Sequence, residues 1–265
     1  MRLSSLARAF AERTTRKWVY ARRLPTSFGS APIFVTPAAG LKFLLKPMPE
    51  IDPILLRNVI ELVRPSDVVW DIGANVGLFA FAAAARAGRT GQVIAFEPDA
   101  WLVQILRRSV SAQPETSAPV RIVPAAVASE IGLRQFTIAS RSRASNAMAG
   151  YGSTQMGKAS EEQTIVALSL EWLTEKLQPP NVIKCDVEGA EVEVFDGQSK
   201  MLGTIRPVII CEVSSKTSER MTDIFVNARY RLFDGEKPLS RETEITRASW
   251  NTIAIPEEFL ERYIV

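Results

Sequence analysis

The residues best suited to chemistry in this chain begin with an acid and a glycine turn at positions 71–77. The apolar run Val68–Trp70 predicts a strand, and Asp71 follows it directly. The turn Gly73-Ala-Asn-Val-Gly77 then leads into an alanine-rich segment that favours helix. Glycine lets a ligand approach the backbone closely, and a helix N-terminus presents free N–H groups. This order predicts a nucleotide-type pocket at the carboxyl end of a parallel sheet.

A second acid ends the next apolar run, Gln92–Phe96. Glu97 lies 24 positions after Gly73, near the spacing of about 20 at which an acid meets a ribose. A carboxylate can accept hydrogen bonds from both ribose hydroxyls. The spacing Gly73-x-x-x-Gly77 differs from the Gly-x-Gly-x-x-Gly of dinucleotide sites. A dinucleotide site and an ordinary turn without a ligand remain alternatives, but nucleoside binding is the favoured interpretation.

Two further apolar runs end in acids. Val182–Cys185 is followed by Asp186, and Pro207–Cys211 is followed by Glu212. Because parallel strands end at the same edge of a sheet, both side chains are expected in one cleft. They could accept a proton, bind Mg²⁺ together with a substrate diol, or only end their strands. The candidates for a base, in order, are Asp186 and Glu212, then Glu188, then Lys184.

The chain contains no histidine, which excludes several classes of catalytic site. A Ser-His-Asp or Cys-His centre, a His-ligated metal and a histidine base all need that residue. Any proton acceptor must therefore be a carboxylate, Lys, Tyr or water. Cys185 and Cys211 are interpreted as small buried thiols rather than as a redox pair.

The first 50 residues form a basic arm. They carry nine Lys/Arg and two Glu (+7), whereas the remainder carries 23 Lys/Arg and 27 Asp/Glu (−4). Apolar residues at helical spacing within Met1–Leu24 predict a helix that packs on the domain, lies peripherally on an anionic membrane or a partner, or is a transit peptide. The runs Ile33–Thr36 and Leu41–Leu45 are expected to form a hairpin.

Strands alternate with helices beyond the arm, which predicts an open, mostly parallel sheet. Helices are predicted at Pro53–Arg64, Asp99–Val110, Leu170–Leu177, Ala190–Met201 and Ser218–Ala228. Strands are also predicted at Leu133–Ala139 and Thr164–Leu168. The aperiodic segment Arg141–Ser160 is interpreted as a loop, either a lid over the site or an inert surface segment. No run of 18 apolar residues occurs, so we expect no membrane span and a cytoplasmic location.

Three motifs together resemble the FkbM family of S-adenosylmethionine-dependent methyltransferases. They are Asp71-Ile-Gly-Ala-Asn-Val-Gly77, Phe96-Glu-Pro-Asp99 and Ile183-Lys-Cys-Asp-Val-Glu-Gly-Ala-Glu191. The first is similar to the opening motif of class I methyltransferases in general, and the third is more specific to the family. The resemblance covers roughly residues 67–256. One departure is Ser169, which stands where the family usually has Asp.

The resemblance implies an α/β class I methyltransferase (Rossmann-like) fold, with a seven-stranded, mostly parallel sheet and helices on both faces. It implies transfer of a methyl group from S-adenosyl-L-methionine to a hydroxyl on a small molecule, sugar or lipid. Asp71 and the turn amides would hold the methionine portion, Glu97 the ribose, and Ala126 would leave room for adenine. The implied cofactor-binding residues are Asp71, Gly73, Asn75, Gly77, Glu97 and Ala126.

Under this interpretation residues 1–50 are the arm and residues 51–265 the methyltransferase domain. Asp186, Glu212 and Glu188 are the expected catalytic residues; Mg²⁺ is considered but not favoured. The alternatives are an NAD-dependent oxidoreductase on a related fold and a non-catalytic nucleotide-binding scaffold. The missing Gly-x-Gly-x-x-Gly disfavours the first, and the intact acid and glycine positions disfavour the second. A nucleic-acid partner is not expected, because the body is slightly acidic.

Overall fold

The computed structural model describes residues 15, 17–139, 142–148, 150–151 and 159–264. Most of the helix expected within Met1–Leu24 and part of the aperiodic segment lie outside these residues. The described end of the arm, Tyr20–Arg23, is a strand rather than a helix. The described strands are β1 (Tyr20–Arg23), β2 (Pro32–Val35), β3 (Val68–Ile72), β4 (Gln92–Phe96), β5 (Val120–Val123), β6 (Ala126–Val127), β7 (Gly132–Ala139), β8 (Ala147–Met148), β9 (Ala159–Leu168), β10 (Val182–Cys185), β11 (Val208–Glu212), β12 (Tyr230–Asp234), β13 (Glu244–Ile245) and β14 (Asn251–Pro256).

Several of the helices are shorter than the segments predicted for them. They are α1 (Lys42–Leu45), α2 (Pro53–Leu62), α3 (Leu78–Ala87), α4 (Ala100–Val110), α5 (Leu170–Lys176), α6 (Glu191–Phe195), α7 (Ser218–Asn227) and α8 (Leu260–Tyr263), with a π-helical turn at Met201–Ile205. None of these helices combines the length and the apolar content that a membrane crossing requires.

The central sheet has the strand order β13-β12-β14-β11-β10-β3-β4-β5. The strands from β11 to β5 are parallel, while β14 runs antiparallel to both β11 and β12. The predicted seven-stranded, mostly parallel sheet is confirmed, with the two-residue β13 added at one edge. The order reverses between β3 and β10, and the carboxyl ends of both strands meet at that switch point, where ligands bind in open α/β sheets.

Alternate residues of the buried strands face opposite sides, and each side carries helices. Val69 and Val93 pack with α2, α3 and α4 on one side of the sheet. Trp70 and Ile94 pack with α5, α6 and α7 on the other side. Both faces of these buried strands are therefore covered, which explains why their sequences are continuous apolar runs.

A second sheet, ordered β6-β9-β7-β8, follows the third parallel strand and packs around a small core that includes Phe136, Ile138 and Ile165. The long antiparallel pairing of β7 with β9 agrees with the strands predicted there. This sheet matters for the site because β8 and the segment before it reach the carboxyl end of the central sheet, beside Glu97.

Two local predictions were wrong. The hairpin is formed by β1 and β2, and Lys42–Leu45 is helix α1 rather than a strand, because Leu and Lys favour helix once no strand partner is available. The helix predicted over Ala190–Met201 ends at Phe195. Gly197 follows with φ +74°, a conformation that helices do not continue.

Residues 20–50 pack onto the central core through Phe28 and Phe43, among others.

Candidate active site

The glycine turn after β3 packs directly on the end of β10. Gly73 has φ +77°, and a Cβ at this position would lie 1.9 Å from the backbone oxygen of Asp186. No other residue fits there without moving the strand end. The N–H groups of Gly73 and Ala74 both donate to the Phe96 oxygen at 3.0 Å. The turn is thereby fixed between its two neighbouring strands.

The remaining turn residues have different roles. Gly77 has φ +85°, and a Cβ there would lie 2.5 Å from the Phe81 ring, so Gly77 lets the first turn of α3 pack closely. Asn75 has φ +55°. Its side-chain oxygen Oδ1 is buried and has no hydrogen-bond partner among the described residues. An orphaned acceptor of this kind marks a place for a ligand donor.

Glu97 is buried at the carboxyl end of β4 and holds the turn. Its two carboxyl oxygens accept the backbone N–H groups of Asn75 at 2.8 Å and Asp99 at 2.9 Å. Burial raises the pKa of Glu97 to about 8, although these two donors act in the opposite direction. The side chain is therefore preorganised and keeps its proton at neutral pH while no ligand donates to it.

Lys184 connects Asp71 with Asp186. Its ammonium lies 3.4 Å from Oδ1 of Asp71 and 3.5 Å from Oδ2 of Asp186, and it donates to the Gly73 oxygen at 2.9 Å. Burial alone lowers the pKa of Lys184, but the two carboxylates outweigh it and hold the pKa above its usual value. This favours the protonated form of Lys184 and disfavours its candidacy as a base.

Glu212 and Glu188 stand beside Asp186 with raised pKa values. Burial, then the charges of Asp186 and Glu188, raise the pKa of Glu212 to about 9. Burial and Asp186 raise the pKa of Glu188 to about 7. Glu188 also has φ +54°, a strained backbone conformation for this residue type. Strain and shifted titration at one strand end are typical of functional sites.

Three cavities meet at Asp186 and Glu188, which line all of them. The smallest of the three, about 60 Å³, also contains Gly73, Glu97 and Ala126 and is called the adenosine crevice after the role expected for Glu97 and Ala126. The turn cavity, about 350 Å³, contains Asn75, Lys184 and Glu212. The loop cavity, about 810 Å³, contains Glu212 and the segments 213–218 and 247–250. The structure therefore brings the predicted cofactor-side and catalytic residues to one junction.

A hydrogen-bond network that could not be predicted from the sequence forms one wall of the adenosine crevice. Asp99 caps α4 by accepting the Trp101 N–H at 2.9 Å, and its other oxygen accepts from Arg143 and, at 2.8 Å, from Asn146. The Arg143 guanidinium lies 4.9 Å from a ring centroid of Trp101. An acid before a helix is a recognisable cap signal, but Arg143 lies in a stretch without periodicity.

Other predicted positions have structural roles. Ser169 accepts the Trp172 N–H and caps α5, a task that Ser and Asp both perform well. Cys185 and Cys211 are buried free thiols at paired positions of β10 and β11, which confirms their predicted burial. Among the described residues, no group of three or more His, Cys, Asp or Glu could hold a metal ion.

The strand order, the glycine turn after β3 and the acids at the strand ends are the arrangement of a class I S-adenosylmethionine-dependent methyltransferase. The chain belongs to the methyltransferase FkbM domain family, whose sequence profile matches residues 71–232. The predicted family resemblance is confirmed, and the match includes every predicted site residue from Asp71 to Glu212.

A curated relative and two solved structures are similar to the chain. Hexuronic acid methyltransferase AglP from Haloferax volcanii is 28% identical over 158 residues, which are 59% of this chain and 60% of AglP. Methyltransferase FkbM from Methylobacillus flagellatus KT aligns with TM-score 0.47, 13% identity and coverage of 75% of this chain and 49% of that chain. Precorrin-6y C5,15-methyltransferase from Geobacter metallireducens GS-15 aligns with TM-score 0.44, 14% identity and coverage of 80% and 89%.

Proposed function

We propose that this chain transfers a methyl group from S-adenosylmethionine to a hydroxyl oxygen of a sugar or a similar small molecule. The observation that carries the proposal is the position of Asp186. Asp186 lines all three cavities, so one acid lies at the junction of the crevice beside Glu97 with the larger turn and loop cavities. Membership of the FkbM family supports methyl transfer as the reaction.

The residues at the junction fit the cofactor. Glu97 at the strand end would accept from the ribose hydroxyls, and Ala126 leaves space beside it for a flat base. The buried, unpartnered Oδ1 of Asn75 would accept from the ammonium of the methionine portion. Asp71 is fully buried against Lys184. Both carboxyl oxygens of Asp71 also lack a hydrogen-bond partner among the described residues, so by the same argument Asp71 would accept from the ammonium, directly or through a water molecule.

When bound, S-adenosylmethionine supplies a methyl group on a positively charged sulfur that leaves as a neutral thioether, so the acceptor needs only alignment and the loss of one proton. Asp186 would take that proton from the acceptor hydroxyl, a contribution of about 10²–10⁴-fold. Alignment in the cleft could lower the barrier by up to about 7–11 kcal/mol. Glu212, with its pKa of about 9, would keep its proton and donate a hydrogen bond to Asp186.

A sugar is the favoured acceptor because the relative AglP carries the name hexuronic acid methyltransferase. Proton acceptance is favoured over a Mg²⁺ site because, among the described residues, no group of three or more His, Cys, Asp or Glu is placed to hold a metal ion. Activity that survives a chelator would support this choice. The absence of a nucleic-acid partner, the contact of the arm with a membrane and the cytoplasmic location stay predictions.

Calorimetric titration of S-adenosylhomocysteine, with NAD as the control ligand, tests the cofactor assignment. We expect micromolar binding of S-adenosylhomocysteine alone, weakened at least tenfold, about 1.4 kcal/mol, in Glu97→Ala. Binding of NAD instead would favour the oxidoreductase alternative, and binding of neither would favour the scaffold. Transfer of a labelled methyl group to a panel of sugars, followed by mapping of the methylated atom, tests the reaction.

A further inference from the structure

The loop cavity has the size and lining of a separate binding site. Its volume of about 810 Å³ falls within the range of about 300–1,000 Å³ that is usual for ligand pockets. Asp186, Glu188 and Glu212 contribute from the strand ends. The rest of the wall comes from the loop at 213–218, the segment at 247–250, and Gly150, Tyr151, Gly189 and Glu191. The third family motif includes Gly189 and Glu191, whereas the loop at 213–218 and the segment at 247–250 belong to no family motif and to no part of the cofactor assignment.

The two loops bring positive charge to this cavity. Lys216 and Arg247 both line it, and among the described residues Lys216 forms no ion pair. Arg247 lies 3.9 Å from Glu219, but their side chains are 63% and 85% exposed. An exposed pair of this kind contributes little, so it leaves the guanidinium available to a ligand. Nε of Arg247 donates to Ser218 at 3.2 Å, which fixes the side chain at the wall.

Four acids line the cavity, Asp186, Glu188, Glu191 and Glu212, and among the described residues none of them forms an ion pair with Lys216 or Arg247. Glu191 is buried, accepts the Gly189 N–H at 2.7 Å and receives the Thr217 hydroxyl at 3.3 Å. Asp186 is paired with Lys184. Lys216 and Arg247 therefore remain as charges that an anionic group could satisfy, and the planar fork of Arg suits a carboxylate or a phosphate.

Trp250 supplies a flat apolar surface at the same place. It lines both the turn cavity and the loop cavity and is 54% exposed. Its backbone oxygen accepts the Val213 N–H at 2.9 Å, which holds the two loops together. A large aromatic ring with an open face and a polar surrounding suits a ligand that is apolar on one face and polar at its rim, as a sugar ring is.

We propose that the loop cavity binds an anionic sugar, with its ring against Trp250, its charged group on Arg247 and Lys216, and one hydroxyl directed toward Asp186. This inference rests on the proposed function and names the acceptor class. A carboxylate and a phosphate share the chemistry that these cations recognise, so both are anionic sugars in this sense.

The test is equilibrium binding to the protein saturated with S-adenosylhomocysteine, which does not depend on turnover. The probes are methyl glucuronide, glucose 6-phosphate and the neutral methyl glucoside. We expect at least tenfold tighter binding of one anionic probe than of the neutral probe, with an affinity that falls as salt rises. The stronger of the two anionic probes identifies carboxylate or phosphate as the recognised group.

Variants locate the site. Arg247→Gln should weaken the anionic probe about tenfold, Lys216→Gln should weaken it less, and neither should change binding of the neutral probe. Trp250→Ala should weaken both. Arg229→Gln is the matched control, because Arg229 is 79% exposed and paired with Glu257 away from the cavity.

Either of two results would overturn this inference: equal binding of charged and neutral sugars, or an unchanged affinity of Arg247→Gln for the anionic probe. The proposed function would still stand if S-adenosylhomocysteine binds and a neutral sugar is methylated. Failure to bind S-adenosylhomocysteine would instead count against the proposed function itself.

Discussion

The ammonium group of Lys184 lies between two carboxylates, 3.4 Å from Asp71 and 3.5 Å from Asp186. It also donates to the Gly73 oxygen at 2.9 Å. One buried cation thus joins the end of β3, the glycine turn and the acid that we assign as the base. The orientation of Asp186 depends on a residue that does not itself react.

Replacing Lys184 with Met should destabilise the protein by about 3–5 kcal/mol, because it leaves a fully buried carboxylate without its cation. Urea unfolding measures the loss. Lys176→Met is the control, since Lys176 is exposed and lies 3.9 Å from an equally exposed Glu175, a pair worth roughly 0–1 kcal/mol. Equal losses in the two variants would show that the buried ion pair contributes little.

Gly73→Ala should damage the site beyond the cost of backbone strain. Gly197 has φ +74° and open space around its Cβ position, so Gly197→Ala reports the strain alone, about 1–2 kcal/mol. At Gly73 the new Cβ must also displace the oxygen of Asp186. We expect at least twice the loss of unfolding free energy and at least tenfold weaker binding of S-adenosylhomocysteine. Equal effects of the two substitutions would contradict the close packing.

The sequence predicts those parts of the fold that depend on local residue patterns. Asp71, Glu97, Asp186 and Glu212 could be placed because each ends an apolar run, and parallel strands end at one edge. Lys184 also left a signal, because a lysine within the apolar run Val182–Cys185 needs a buried partner.

The remaining parts depend on contacts between distant segments. Arg143 reaches Asp99 across 44 positions, and nothing in the aperiodic segment indicates it. The two-residue strands β6 and β8 are too short to produce a period. The pairing of β1 with β2 could not be predicted from the sequence, because the strand preference of a short run depends on packing against a partner that local patterns do not identify.

Glu97 should make the ligand-free protein less stable as pH rises. The folded state holds this proton up to a pKa of about 8, whereas the usual value is 4.5, so the folded state binds more protons between these pH values. The free energy of unfolding should then fall from about pH 5 to pH 8, by at most about 1.4 kcal/mol per pH unit for one proton. Glu212 acts in the same direction.

Urea unfolding at several pH values measures this slope in the parent protein and in Glu97→Gln, which should be less steep. Glu175→Gln, at an exposed position, is the control and should keep the parent slope. A parent stability that rises from pH 5 to pH 8 would show that the buried carboxyl group is ionised in the folded state.

Arg143→Ala should weaken S-adenosylhomocysteine about five- to tenfold, because the wall of the adenosine crevice loses its ion pair to Asp99 and its stacking on Trp101. Arg143→Lys should recover little, since an ammonium cannot donate as a fork and stack at the same time. Calorimetry measures both. Arg134→Ala is the control, because Arg134 is a half-buried arginine in β7 that does not line the crevice. An equal loss of affinity in Arg134→Ala would assign the effect to charge alone.

The effects of Asp186→Asn and Glu212→Gln on kcat should show which of these two acids is the base. Asn cannot take a proton, so Asp186→Asn should lower kcat by about 10²–10⁴-fold with little change in cofactor affinity. Glu212 is already neutral below its pKa of about 9, and Gln keeps its shape and a donor, so Glu212→Gln should retain at least a third of kcat at neutral pH. Single-turnover methyl transfer measures both rates. If Glu212→Gln is the inactive variant and Asp186→Asn the active one, the proton leaves through Glu212 and the two assignments must be exchanged.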